Sequence, residues 1–122
     1  MAATPKDFRR LALALPESAE RQHHNHPDFR VAGKIFATLG YPAPGWGMVR
    51  LTPVQQEEFV GRWPRAFSPA AGAWGRAGAT CVLLAKAGQT ALRQALLAAW
   101  RNYAPAELAL PGRALPRRRR FS

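Results

Sequence analysis

Two short apolar runs separated by a tight turn constrain the fold of this chain most strongly. The runs are Phe29–Val31 and Ile35–Leu39, and Gly33 lies between them. Glycine adopts the positive φ that two-residue hairpin turns require, so this stretch predicts a β-hairpin. Arg30 and Lys34 then lie beside the turn, one cation on each arm.

Length and cysteine content predict one domain without disulfides. The chain has 122 residues, 48% of them apolar, which is enough to bury a core in a single unit. The single Cys81 falls within an apolar run, where a thiol is ordinarily structural. No signal-peptide pattern and no run long enough to cross a bilayer is present, so we expect a soluble, cytoplasmic protein with no membrane partner.

The charge of the chain is strongly positive. Lys and Arg number 18 against 7 Asp and Glu, a net charge of +11. The segment 105–122 holds Arg113 and Arg117–Arg120 against Glu107 alone, but residues 1–104 still contain 13 basic and 6 acidic residues, a net charge of +7. Such an excess favours polyanionic partners, because phosphate contacts release counterions.

Three segments have helical apolar spacing. The first two begin with a threonine followed by proline, and the second adds a capping-box pattern between Thr52 and Gln55. In the last helix the apolar residues follow one face, and we expect Gln89 or Thr90 to cap it. The predicted helices run from Thr4 to Pro16, from Thr52 to Pro64, and from the Gln89 region to the residue before Pro105.

The remaining segments are read from local composition. Met48–Leu51 and Thr80–Leu84 predict strands. Residues 17–28 are either loop or a short edge strand, and residues 67–78 are predicted to be irregular. Residues 1–104 therefore form the expected domain, and 105–122 a basic, mobile tail.

No catalytic, cofactor or metal site is predicted. His23, His24, His26 and Asp28 have ligand chemistry, but their spacing is cramped and no second His or Cys pair completes a tetrahedral shell. The glycines around Trp74 lack the setting of a phosphate loop, and we interpret them as permitting a tight backbone path into the next strand.

The motifs together resemble the MmcQ/YjbR family of small bacterial proteins. The resemblance spans about Phe8 to Leu108 and is carried by HPDFRVAGKIFATL, LTPVQQEEFV, PAAGAWGRAGATCVLL and LRQALLAAWRNYAP. It implies an α+β, two-layer fold similar to the secretion chaperones and described as a double wing, with about five short antiparallel strands and three helices. Ala79 departs from the aromatic residue that relatives often carry there, and the basic tail lies beyond the family pattern.

The resemblance and the charge together suggest a non-enzymatic module that binds nucleic acid, most simply double-stranded DNA, as a monomer or weak homodimer. The candidate phosphate contacts are Arg30, Lys34, Arg50 and Arg76, which would position the partner rather than read its bases. Trp74 is a candidate for base stacking, although core packing is its more ordinary role. Two alternatives remain open: a protein-interaction module, and a small-molecule site in a polar pocket around His24, His26 and Trp74.

Overall fold

The structure is a computed structural model and describes residues 2–109. In chain order its elements are α1 (Pro5–Leu13), β1 (Ala19–His23), β2 (His26–Val31), β3 (Lys34–Leu39), β4 (Trp46–Arg50), α2 (Pro53–Arg62), β5 (Phe67–Pro69), α3 (Gly72–Arg76), β6 (Ala79–Leu83), a 3-10 turn (Leu84–Lys86), α4 (Gln89–Tyr103) and α5 (Ala106–Ala109). The strands form one antiparallel sheet in the order β1-β2-β3-β4-β6-β5. The α+β class that the resemblance implies is confirmed, with six strands in the described residues instead of about five.

Capping boxes begin the first two helices. At α2 the Gln55 amide donates to Thr52 Oγ1 at 3.1 Å, and the Thr52 amide donates to Gln55 Oε1 at 2.8 Å, as predicted. The equivalent pair at α1 is Thr4 and Asp7. Reciprocal bonds of this kind satisfy amides that the first helical turn leaves without partners. The α1 helix ends at Leu13, short of the predicted end at Pro16.

Two hairpins with two-residue turns build the first half of the sheet. Ala32 and Gly33 have φ of 53° and 79°, so the predicted hairpin is confirmed as β2 and β3. His24 and Asn25 also have positive φ, 48° and 66°, and they join β1 to β2. Residues 19–23 are therefore an edge strand and not a loop.

The prediction of irregular structure over residues 67–78 is wrong, because this segment contains β5 and α3. Gly75 lies so close to Ala70 that a Cβ there would meet the Ala70 carbonyl oxygen at 1.7 Å. Gln56 of α2 fixes the segment by donating to the carbonyls of Gly75 and Ala79 at 2.9 and 3.0 Å. The interpretation of these glycines as allowing a tight backbone path therefore agrees with the packing.

The two faces of the sheet differ in their cover. Residues paired across antiparallel strands share a face, so Phe29, Ala37 and Val49 point together to one side, which we call the helix face. The Phe8 ring of α1 lies 5.7 Å from that of Phe29 on this side. The α4 helix covers the same side with buried Ala91, Leu92, Ala95, Leu96, Ala99 and Trp100.

The last helix follows the predicted apolar pattern but has a different start. It begins at Gln89 with Gly88 as the N-cap residue and no side-chain cap, so the prediction of a Gln89 or Thr90 cap is wrong. It ends at Tyr103, before Pro105, as predicted.

Beyond α4, Leu108 of α5 packs against the core, so packing extends past residue 104. Arg113 and Arg117–Arg120 lie outside the described residues. None of the helices within 2–109 has the length and apolar character needed to cross a bilayer.

Candidate functional site

The other side of the sheet, which we call the cavity face, carries polar and charged residues. Asp28, Thr38, Met48 and Cys81 pair in register across β2, β3, β4 and β6, so their side chains lie in one row on this face. The strands described here contain two carboxylates, and Glu20 belongs to the helix face because it pairs with Phe29. Asp28 is therefore the one strand carboxylate on the cavity face.

Asp28 is fully buried and its charge is matched by two neighbours. Arg30 donates from Nε and Nη2 to the two carboxylate oxygens at 2.8 and 3.1 Å. His23 Nδ1 lies 2.7 Å from Asp28 Oδ2. Charge-assisted, bidentate contacts of this type are the strong ones, and they fix the orientation of Arg30 on the strand.

The pKa of Asp28 follows from the same contacts. Burial by itself would raise the pKa, but the hydrogen bonds and charges of Arg30 and His23 lower it below its ordinary value of 3.8. The pKa of Arg30 is raised by its bond to Asp28. Asp28 is thus a permanent anion at neutral pH, and Arg30 offers less of its charge to a partner than a solvated arginine would.

A cavity of about 210 Å³ lies next to this ion pair. Tyr41 stands edge-on to two other rings, with centroids 6.2 Å from His26 and 6.1 Å from Trp74. The sheet supplies Thr38 and Met48 to the lining. The residues that line the cavity are His23, His24, His26, Thr38, Tyr41, Met48, Arg50 and Trp74. A cavity lined by polar and aromatic side chains is therefore present around His24, His26 and Trp74, where the small-molecule alternative places its site.

Arg50 and Trp74 are brought together at this cavity. The Arg50 guanidinium carbon lies 5.8 Å from the Trp74 ring centroid, within the range of a cation–π contact. Trp74 is 49% exposed, so the more ordinary role of core packing does not describe it. A half-exposed indole beside an arginine is suited to stacking on a flat, anionic partner.

The other predicted residues lie further apart. Arg30 and Arg50 point from the same face, two strands apart, which corresponds to roughly 10 Å between their backbones. Lys34 pairs with Val31, so by register it belongs to the helix face rather than to the face of Arg30. Arg76 is exposed at the last residue of α3. The structure therefore joins Arg50 with Trp74 and separates Lys34 from Arg30.

Three side chains of this face were not singled out from the sequence. Arg21 is exposed on β1 opposite Asp28, and Thr38 and Tyr41 line the cavity. Asn25, which tolerates positive φ, was the available signal for a β1–β2 hairpin that places Arg21. Nothing in the local sequence around Thr38 or Tyr41 indicates that they meet Trp74.

Two of the reactive side chains on this face, His23 and Cys81, are engaged or protected. No group of three or more His, Cys, Asp or Glu within residues 2–109 is placed to hold a metal ion. His23, considered for that role, is engaged with Asp28. Burial raises the pKa of the Cys81 thiol, which lowers its reactivity as a nucleophile.

Comparisons with known proteins agree with the geometry of the fold. The YjbR family model matches residues 13–102. The crystal structure of Deinococcus radiodurans protein DR2400, with the family-model domain DUF419, is similar with a TM-score of 0.69 and 20% sequence identity, covering 90% of this chain and 91% of that chain. This likeness shows the shared fold. No curated protein matches the chain.

Proposed function

This chain belongs to the YjbR family, and we propose that it is a non-enzymatic module that binds nucleic acid, with double-stranded DNA as the first candidate, through the cavity face. A binding role is supported by the state of two reactive groups on this face. Asp28 is buried and bonded to Arg30 as an anion, and the Cys81 thiol has a raised pKa. Neither group is available to act as base or nucleophile.

The observation that carries the proposal is the pairing of Arg50 with the half-exposed Trp74 on a face of positive charge. Arg21, Arg30 and Arg50 all point from the strands of this face, and Arg76 follows in α3. Among residues 2–109, no carboxylate lies within ion-pair distance of Arg21, Arg50 or Arg76. Cations so placed bind phosphates, and their contribution depends on salt.

Two cations of α1, which packs on the helix face, are less suited to this role. Arg9 is bonded to Glu20 at 2.9 Å, and Arg10 is bonded to Asp7 at 3.0 Å. Both arginines therefore lie next to a carboxylate, which would repel a phosphate. Basic residues are present on both faces, but within residues 2–109 the one strand carboxylate of the cavity face is buried and bonded to its own arginine.

The test is titration of a labelled DNA duplex with the full chain at several salt concentrations, followed by fluorescence anisotropy. We expect the logarithm of the binding constant to fall with the logarithm of the salt concentration. Arg50→Gln should weaken binding about fivefold or more and make the salt slope shallower by about one unit. The matched control is Arg93→Gln, an exposed arginine on α4, which should leave binding and slope unchanged. Equal losses in the two variants would contradict an interface on the cavity face.

The basic segment beyond the described residues needs its own arm of the experiment. Replacing Arg117, Arg118, Arg119 and Arg120 together by Gln keeps the chain length while removing four charges. Duplex binding should be weakened in this variant but should persist and remain sensitive to Arg50→Gln. Complete loss of binding would assign the activity to the tail instead of the folded domain.

A protein partner ranks second. The large exposed hydrophobic side chains among the described residues are Leu13, Val54 and Trp74. Leu13 lies at the end of α1, Val54 lies on α2 and Trp74 lies on α3, so the three side chains come from three different helices. Scattered apolar residues of this kind are normal on monomers, and we therefore prefer nucleic acid.

A further inference from the structure

We propose that the cavity beside Trp74 binds one unpaired nucleobase of the nucleic acid that the cavity face contacts. This inference rests on the proposed function and makes it more specific. It adds a ring-binding site to the phosphate contacts, so that strands with an accessible base bind more tightly than fully paired duplex of the same charge.

The first support is an unpartnered polar atom. Thr38 is 2% exposed and lines the cavity, and its Oγ1 has no hydrogen-bond partner among the residues that the structure describes. Buried hydroxyls are nearly always paired, because leaving one without a partner is unfavourable. A hydroxyl can both donate and accept, so it can bond the edge of any base.

The second support is the size and lining of the cavity. At about 210 Å³ it is smaller than the roughly 300–1,000 Å³ of typical ligand pockets. It therefore has room for one flat ring system rather than for a whole nucleotide. Tyr41, His26 and Trp74 surround it with aromatic surfaces and Met48 adds an apolar one, which suits a ring of any base.

The third support is the position of the charge. Arg50 lines the same cavity while its guanidinium lies over Trp74. A base in the cavity would bring its sugar and phosphate toward the surface of the cavity face, where Arg50 lies at the cavity itself and Arg21 points from β1. The cavity that would hold the base therefore adjoins an arginine that would bind the phosphate, as the binding of one nucleotide within a strand requires.

The test compares three DNA ligands with the same backbone charge. These are a short single strand, the same strand with every base removed to leave abasic sugars, and a fully paired duplex of half the length, which carries the same number of phosphates. The full chain should bind the single strand about tenfold more tightly than the abasic strand, because stacking contributes per base. Equal binding of the two strands would overturn the base site while leaving the proposed phosphate binding intact. Absence of binding to all three would overturn the proposed function itself.

The variant Thr38→Val separates the role of the hydroxyl from that of the fold. It should weaken binding of the single strand roughly three- to tenfold, leave the abasic strand unaffected, and leave the unfolding midpoint unchanged or raised, because a buried unpaired hydroxyl is removed. The matched control is Thr80→Val in the same sheet. Thr80 is also buried, but its Oγ1 donates to the Gly78 carbonyl at 2.8 Å, so this variant should lower stability and leave binding by the folded protein unchanged. A destabilised Thr38→Val protein with normal binding would contradict the proposal.

Free thymidine monophosphate distinguishes a strand from a free nucleotide as the source of the ring. We expect it to compete with the strand only weakly, since it lacks the neighbouring phosphates. Competition as strong as that of an unlabelled strand would overturn the assignment to a nucleic-acid base and assign the cavity to a free nucleotide.

Discussion

The two faces of the sheet are built from the same strands but serve different purposes. On the helix face, Phe29, Ala37 and Val49 are fully buried beneath α1 and α4, and the only strand carboxylate on that side, within the described residues, is bonded to Arg9. On the cavity face, buried polar groups lie beside a half-exposed indole. Most of the apolar packing that stabilises the fold therefore lies on the helix face. The cavity face can then carry charged and polar side chains that an apolar core would exclude.

The largest expected effect lies on the helix face. Phe29→Ala removes a fully buried ring that packs against Phe8, and we expect a loss of about 3–5 kcal/mol in the free energy of unfolding. Urea denaturation followed by circular dichroism measures it. The affinity of the folded fraction for DNA should be unchanged. A weaker affinity of the folded fraction would contradict the assignment of stability to the helix face and of binding to the cavity face.

The next effect is at the buried carboxylate of the cavity face. Asp28→Asn keeps the shape but removes the charge that Arg30 and His23 bond, so we expect a loss of about 1–3 kcal/mol in the free energy of unfolding at neutral pH. An unchanged unfolding midpoint at neutral pH would contradict a structural role for this carboxylate.

The pH dependence of the same variant sharpens the test. Because the pKa of Asp28 is lower in the folded than in the unfolded chain, its contribution is complete above the ordinary value of 3.8 and is lost as the pH falls through the lowered value. The difference in stability between the natural protein and Asp28→Asn should therefore shrink in acid. A difference that stays the same or grows as the pH falls below 3.8 would contradict a lowered pKa for Asp28.

The smallest expected effect on stability is at Trp74, where the effect on binding is expected to be large. Its side chain is about half exposed, so Trp74→Ala should lower the free energy of unfolding by only about 1 kcal/mol. Single-strand binding should weaken about tenfold or more, because a stacking surface is lost. Phe at the same position should restore part of the affinity. A strongly destabilised Trp74→Ala protein with normal binding would place this residue in the core after all.

Much of the fold could be predicted because its signals are local. The caps at Thr4 and Thr52 act within one helical turn. The Ala32-Gly33 turn predicts its hairpin because glycine readily adopts the positive φ that the turn requires. The β1 strand could not be distinguished from a loop, because its residues are exposed and show no apolar alternation. β5 and α3 are short and rich in small residues, and tertiary packing determines them.

The site was predicted only in part, for the same physical reason. Charge and placement near turns identified Arg50 and Trp74 separately, but their contact depends on the packing of α3 against β6. Arg30 looked like a surface cation, and only the fold shows that it belongs to the buried Asp28. Substituting Glu at Arg30 and Lys34 is therefore a poor test of binding, since it would place a second carboxylate against Asp28 and disturb the fold.

The most direct test of the account uses the four tryptophan indole signals in a two-dimensional NMR spectrum during titration with a short single-stranded DNA. Trp74 lies on the cavity face, whereas the Trp100 indole donates to the Pro16 carbonyl and Trp63 packs against Phe59. We predict that the Trp74 signal moves most, while the Trp63 and Trp100 signals stay in place. Movement of Trp63 or Trp100 with an unchanged Trp74 signal would contradict binding through the cavity face.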